Sequence, residues 1–189
     1  MLKEKWTLPQ VVLLAIVAFL FGGIFMGADA LYTALLALLT PLGYAPFANE
    51  ILFGLWTMAA PVAAMLIPRP GSAILGEVFA ALAEMLYGSY FGAGAVLSGF
   101  IQGLGTEAGF AATRYKRYDT FSLFLAAIGT TVFSFVYEFF KFGYGTYGIG
   151  MIIALFVVRL ASVSFFGIVL AGEVSKLYQR VVKIKALHP

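Results

Sequence analysis

The chain has 189 residues, 62% hydrophobic and 11% charged, with a mean hydropathy of +0.97. That is too apolar for a soluble core inside a polar surface, so lipid is the solvent, and the length holds about six spans of roughly 20 residues with no room for a soluble domain. The absence of cysteine excludes disulfides, thiolate catalysis and Cys-built metal sites, and the net charge of +3 matters through its placement.

Apolar runs bounded by charges or Pro/Gly breaks fall at about residues 8–28, 47–67, 71–87, 91–112, 120–140 and 146–174. They predict a single transmembrane domain over residues 1–189, an all-α integral membrane bundle of six transmembrane helices. Residues 30–39, closed by Thr40-Pro41, are too few to cross and predict a short interfacial or re-entrant helix between the first two spans. The third run is short for a span, and the last continues as helix past the membrane surface. Pro68-Arg69-Pro70-Gly71 predicts a tight turn that starts the third helix.

If the spans alternate, Lys3, Lys5, Arg69, Arg114, Lys116, Arg117, Lys176, Arg180, Lys183 and Lys185 share one side and Lys141 alone faces the other. The basic side is the cytoplasm, so both termini are cytoplasmic. Ala28-Asp29-Ala30 imitates a signal-peptide cleavage site, but removing the first span would spoil this alternation, and the span is read as retained.

Ionisable groups inside spans are costly and mark function by default. Glu77 and Glu107 lie ~9 Å and ~8 Å from the inner ends of their helices at the α-helical rise, and Arg159 comes to a similar depth from its own end. The three predict a carboxylate-guanidinium cluster, read as an ion pair between helices, with a proton relay as the sharper alternative. Glu84 follows Glu77 by seven residues on one face, nearer the outside and with no cation at its depth. It is either a neutral structural carboxyl or the site of a cationic or amino-bearing ligand. Gln102, at mid-membrane, offers a donor and an acceptor to a solute or to a neighbouring helix. Trp56 shares a face with Asn49 and Phe53, where its ring can stack on a planar heterocycle or simply pack. Tyr87, Tyr90, Tyr137, Tyr144 and Tyr147 gather at the outer face, largely as an interfacial belt.

Ala15, Ala18 and Gly22 form a small-residue face on the first span, and Ala95, Gly99 and Gly103 form one on the fourth. Small residues let helices approach closely, the fourth span within the protein and the first as a docking face for another membrane protein. No P-loop is present, and Gly103-Leu104-Gly105-Thr106-Glu107 lacks the strand-turn-helix setting of a dinucleotide fingerprint. His188, the only histidine, is in the tail, which leaves the spans without a His base or ligand. Asp29 and Asp119 fall at opposite ends of the membrane, so paired-aspartate hydrolysis fails too. No cofactor, metal or nucleic acid is expected.

Pro70-Gly71-Ser72-Ala73-Ile74-Leu75-Gly76-Glu77-Val78-Phe79-Ala80-Ala81-Leu82-Ala83-Glu84, with Gly99-Phe100-Ile101-Gln102-Gly103-Leu104-Gly105-Thr106-Glu107, resembles the substrate-binding S components of energy-coupling-factor (ECF) vitamin transporters. The YkoE-like group, assigned to thiamin or its hydroxymethylpyrimidine precursor, is the most similar. The resemblance implies six helices, a pocket open to the outside, and residues 29–46 as its lid. It also implies a membrane coupling (T) protein and two cytoplasmic ATPases as partners, consistent with the missing P-loop. Ala15, Ala18 and Gly22 correspond loosely to the family's docking face. An aminopyrimidine would meet Glu84 and Gln102, with Trp56, Tyr87 and Tyr90 as stacking faces and Glu138 balancing a thiazolium charge. A non-enzymatic solute-binding subunit is therefore the leading expectation. A self-sufficient proton-coupled carrier using Glu77, Glu107 and Arg159 is the alternative, and a metal-holding membrane enzyme is a third.

Overall fold

The computed structural model describes residues 5–187, with side chains as far as residue 181. Lys3 and His188 lie outside the described residues, as do the side chains of Lys183 and Lys185. The described chain is all-helical and contains no strand.

Helix α1 (Leu8–Leu39) runs without interruption for 32 residues. Pro9 stands in its first turn, and Gln10 accepts the orphan N–H of Thr7 at 3.1 Å. At 1.5 Å per residue the helix is about 48 Å long, more than the hydrocarbon thickness. The interfacial helix expected at residues 30–39 is therefore not a separate element. Those residues are rich in Ala and Leu, contain no Gly or Pro, and simply extend the first helix. A single 3-10 turn (Thr40–Leu42) and Gly43, at φ 78°, end it.

The second run is broken. Helix α2 (Pro46–Leu52) and helix α3 (Ala59–Leu66), joined by a 3-10 turn at Leu55–Thr57, are bent by 50°. Gly54 makes the break: its N–H donates to Ser162 Oγ at 2.9 Å, and a side chain there would collide with the Ser162 backbone. Helix α4 (Ser72–Tyr87) starts after Gly71, at φ 89°, and stops at Gly88, at φ 102°, both left-handed positions that suit glycine. Helix α5 (Gly94–Ala112) follows. Helix α6 (Thr120–Lys141) is capped by Asp119, which accepts the N–H of Ser122 at 3.1 Å. The Arg117 guanidinium bonded to Asp119 holds that carboxyl below its usual range. Helix α7 (Ile149–Ser164), a π-helical turn (Phe165–Leu170) and helix α8 (Ala171–Leu187) form one continuous rod.

By length and apolarity, three helices of the described residues can cross a membrane, or four with the bent pair counted as one. Helices α4 and α5 fall short of those limits and pack among the others. Glycines permit that packing on two sides of α5. A methyl group at Gly99 would lie 2.8 Å from Ala81 Cβ of α4, and one at Gly105 2.6 Å from the Gly129 carbonyl oxygen of α6. Charged side chains are buried among the apolar core, and large apolar side chains cover the outside. Glu50, Glu77 and Arg159 are completely buried, whereas Phe19, Leu86 and Phe140 are exposed.

Candidate functional site

At the end of the bundle away from the chain termini, α4, α5, the broken α2–α3 segment and the last turn of α6 surround a cavity that opens to solvent. The α4 wall presents Glu77 and Glu84 on one face, as their spacing predicts. The broken segment presents Asn49, Phe53 and Trp56, and α6 presents Glu138 and Lys141.

Gln102 faces the cavity from α5. Oriented so that both ends of its amide are satisfied, its nitrogen donates to the Trp56 carbonyl at 3.0 Å and to Glu77 Oε1 at 3.3 Å, while its oxygen accepts from Ser98 Oγ at 3.0 Å. The other oxygen of Glu77 accepts the Ala60 N–H at 2.7 Å. Glu77 thus ties α4 to the start of α3, where the break leaves N–H groups without helical partners.

Asp29, on α1, binds three donors or bridges: Trp56 Nε1 at 3.0 Å, the Tyr90 N–H at 2.9 Å and the Ser89 hydroxyl at 2.8 Å. That hydroxyl lies equally 2.8 Å from Glu84 Oε1, and its one proton serves one carboxyl at a time. The indole of Trp56 is therefore anchored by its N–H, and Phe91 meets it edge-on with ring centres 5.5 Å apart. Tyr32 packs on Trp56, Tyr90 and Phe91 to roof this corner.

Arg159, completely buried on α7, is bonded to Glu50 through Nε at 2.5 Å and Nη2 at 2.7 Å, and to Glu138 through Nη2 at 2.5 Å. Asn49 Nδ2 donates to Glu138 Oε2 at 2.8 Å, and the Tyr144 hydroxyl donates to Glu50 at 2.7 Å. The Phe53 ring lies 3.9 Å from the guanidinium carbon.

The expected cluster of Glu77, Glu107 and Arg159 does not form. Glu77 serves the cavity wall, and Glu107 caps α4, accepting the N–H groups of Gly71 at 2.6 Å and Ala73 at 3.1 Å. Gly71 supplies no capping side chain, so a carboxylate from the neighbouring helix takes that place. Glu84, Gln102, Trp56, Asn49 and Glu138 do line one cavity. Tyr87 and Tyr90 do not. Tyr87 donates to the Phe19 carbonyl at 3.3 Å on the far side of α4, and Tyr90 stands one layer out, behind Phe91. The docking face also divides. Gly22 is packed against α4, with a methyl there 2.6 Å from Ala83 Cβ, and Ala18 is buried, whereas Ala15 is exposed. Glu50, Asp29, Ser98 and Phe91 are site residues that sequence reasoning missed. The signal for Glu50 was present, since it is a carboxylate inside the second apolar run, but so near its start that it reads as a boundary.

The fold and the cavity define a multi-pass membrane protein with a carboxylate-lined chamber. Residues 9–133 match the family described as ABC-type cobalt transport system, permease component. The chain is 34% identical over 173 residues to the putative HMP/thiamine permease protein YkoE of Bacillus subtilis (strain 168), covering 92% of this chain and 82% of that protein. It also superposes on the crystal structure of an S-component of an ECF transporter with a TM-score of 0.82 and 30% identity, covering 98% of this chain and 99% of that one. The chain belongs to the YkoE-like S components of ECF transporters, which are substrate-binding subunits and not enzymes.

Proposed function

We infer that this S component binds thiamin or its hydroxymethylpyrimidine precursor from outside the cell and delivers it to an ATP-driven importer. The observation that carries this reading is the cavity wall itself. Its polar groups are mostly acceptors, and no Lys or Arg forms an ion pair with Glu77 or Glu84 among the described residues. An aminopyrimidine supplies the missing donor to Glu84, a heterocyclic face to Trp56, and partners for Gln102. The carrier alternative loses its basis, because its three relay residues are apart.

The same reading counts six crossings: α1, the bent α2–α3 pair, α4, α5, α6, and the α7–α8 rod. Both termini face the cytoplasm, which puts the cavity on the outside. Its partners are a membrane coupling protein and two cytoplasmic ATPases, the former docking on the open face of α1 at Ala15, Gly23 and Gly27. Nothing lies within 4 Å of a methyl group built at Gly23 or Gly27.

The test is titration of thiamin and hydroxymethylpyrimidine against detergent-purified, ligand-free protein, by calorimetry or tryptophan fluorescence. Glu84→Gln should cost about 1.5–3 kcal/mol, roughly tenfold or more in affinity. Trp56→Ala should weaken binding, and Trp56→Phe should retain much of it. Undetectable binding of both ligands by folded wild type would reject the substrate class, and unchanged affinity in Glu84→Gln would reject the site.

A further inference from the structure

Ser89, in the loop between α4 and α5, stands between two buried carboxyl groups, and its hydrogen-bond count fixes what they carry. Its Oγ accepts the Phe91 N–H at 3.1 Å and lies 2.8 Å from both Asp29 Oδ2 and Glu84 Oε1. A hydroxyl has one proton to donate and two lone pairs that accept. With one lone pair taken by Phe91 and the proton given to one carboxyl, the second lone pair faces the oxygen of the other. Two oxygens at that distance with no proton between them repel, and water does little to relieve them, because Asp29 is 4% exposed and Glu84 3%. One proton held by the carboxyl pair completes the count. Asp29 already accepts Trp56 Nε1 at 3.0 Å and the Tyr90 N–H at 2.9 Å, as an ionised carboxylate does, whereas the Glu84 carboxyl accepts no N–H from the described residues. The proton therefore sits on Glu84, which donates it to Ser89, while Ser89 donates to Asp29.

The other titratable groups around Glu84 are each engaged elsewhere. Glu77, two turns away on α4, accepts the Ala60 N–H at 2.7 Å, and Glu138 of α6 is bonded to Arg159 and Asn49. Lys141 of α6 has its Nζ over the Tyr137 and Phe142 rings, at 5.2 Å and 5.1 Å, and forms no ion pair with a described carboxylate. Tyr32 of α1 and Tyr90 of the loop pack against each other, ring centres 5.6 Å apart. Helix α5 and the broken α2–α3 segment present no titratable side chain to the cavity. Glu84 is thus the member of the pair that lines the cavity, and its proton is held by Ser89 alone.

Resting on the function inferred above, we propose that Asp29 and Glu84 share one proton through Ser89 in the empty site, and that the ligand exchanges for this proton when it binds. An amine that donates to Glu84 takes the place of the proton. The Glu84 O–H bond breaks, the electron pair stays on the carboxylate to accept the ligand N–H, and the proton passes to water at the open mouth of the cavity. Ser89 keeps its own proton on Asp29. The bond gained is charge-assisted, which favours the exchange. Asp29 and Ser89 are positioning residues, since they act on the ligand only by setting the protonation of Glu84.

The experiment is calorimetric titration of thiamin into purified ligand-free protein, in two buffers of different ionisation enthalpy and over a range of pH in which the thiamin pyrimidine is itself neutral. The difference between buffers counts the protons released. Wild type should release about one proton per thiamin at the acid end of the range, and its affinity should rise by up to about tenfold per pH unit until the empty pair has lost its proton. Glu84→Gln has no such proton, so it should bind more weakly, release none and show no slope. Asp29→Asn removes the second carboxyl and lets Glu84 accept the Ser89 hydroxyl in the empty site, so it should bind with release largely abolished. Thiamin binding by wild type without proton release at any pH overturns the exchange while leaving the proposed function standing. Undiminished release in Asp29→Asn overturns the sharing. Undiminished release in Glu84→Gln overturns the exchange, and this arm decides if Asp29→Asn does not fold. No binding of thiamin or of hydroxymethylpyrimidine by folded wild type overturns both proposals.

Discussion

Among the described residues Arg159 is the largest side chain sealed completely inside the bundle, and two helices converge on it, α2 through Glu50 and α6 through Ser134 and Glu138. Arg159→Met would strand two carboxylates in an apolar interior, at a cost of about 3–5 kcal/mol. Adding Glu50→Gln should return part of that loss, because one stranded charge disappears. Thermal unfolding in detergent measures both, and a wild-type melting point for the single variant would contradict the network. That Arg159 must have a buried counter-ion was legible from its place in an apolar run. Which carboxylate it meets was not. Depth counted along each run assumes that the helices start at one plane and run parallel, and by that count Glu77 and Glu107 were level with it. The actual partners stand in the second half of the short α2 and near the end of α6. Glu77 and Glu107 are instead consumed by backbone N–H groups at the broken span and at the uncapped start of α4.

At the scale of the helices, the sequence marks where apolar runs exist better than where they bend or end. The break at Gly54 sits in a continuous apolar run and depends on Ser162, more than a hundred residues away, so no local pattern reveals it. The continuation of α1 past Asp29 was hidden for the opposite reason. A charged residue in an apolar run reads as an end, yet Asp29 is buried and kept inside the helix by Trp56, Ser89 and Tyr90. Gly99 and Gly103 of α5 were legible as close-packing devices, Gly105 and Gly109 were not, and the structure gives all four partners. Gly99 and Gly103 meet α4, while Gly105 and Gly109 meet the backbone of α6. At Gly109 a side chain would press on the Leu125–Ala126 backbone, which cannot swing aside. Gly109→Leu should therefore destabilise by about 1–3 kcal/mol or more. Because Ser98 and Gln102 ride on the same helix, it should also weaken thiamin binding from a distance. A thermal shift together with a titration checks this, and an unchanged melting point would contradict the close α5–α6 approach.

For the molecule as a whole, the alternation of apolar runs and basic loops was enough to expect a helical membrane bundle. The cavity was partly legible because polar residues in lipid-facing runs are rare and must turn inward. The proposed docking surface was the least legible feature. Spacing alone chose Ala15, Ala18 and Gly22, but small residues serve internal and external contacts equally well, and only packing separates the two. Gly22 is committed to α4, whereas Gly23 and Gly27 are exposed, four residues apart, on the same helix that holds Asp29 at the cavity. If α1 is where the coupling protein docks, a bulky side chain on its open face should block transport without touching the ligand. Gly23→Leu and Gly27→Leu should abolish ATP-driven uptake by the reconstituted importer while the isolated chain keeps its melting point and its affinity for thiamin. Gly22→Leu should instead destabilise the chain itself, by about 1–3 kcal/mol from overpacking against Ala83 and the α4 backbone. Uptake assays paired with titrations of the same variants separate the cases. Full uptake in both Gly23→Leu and Gly27→Leu would move the coupling surface off this face of α1.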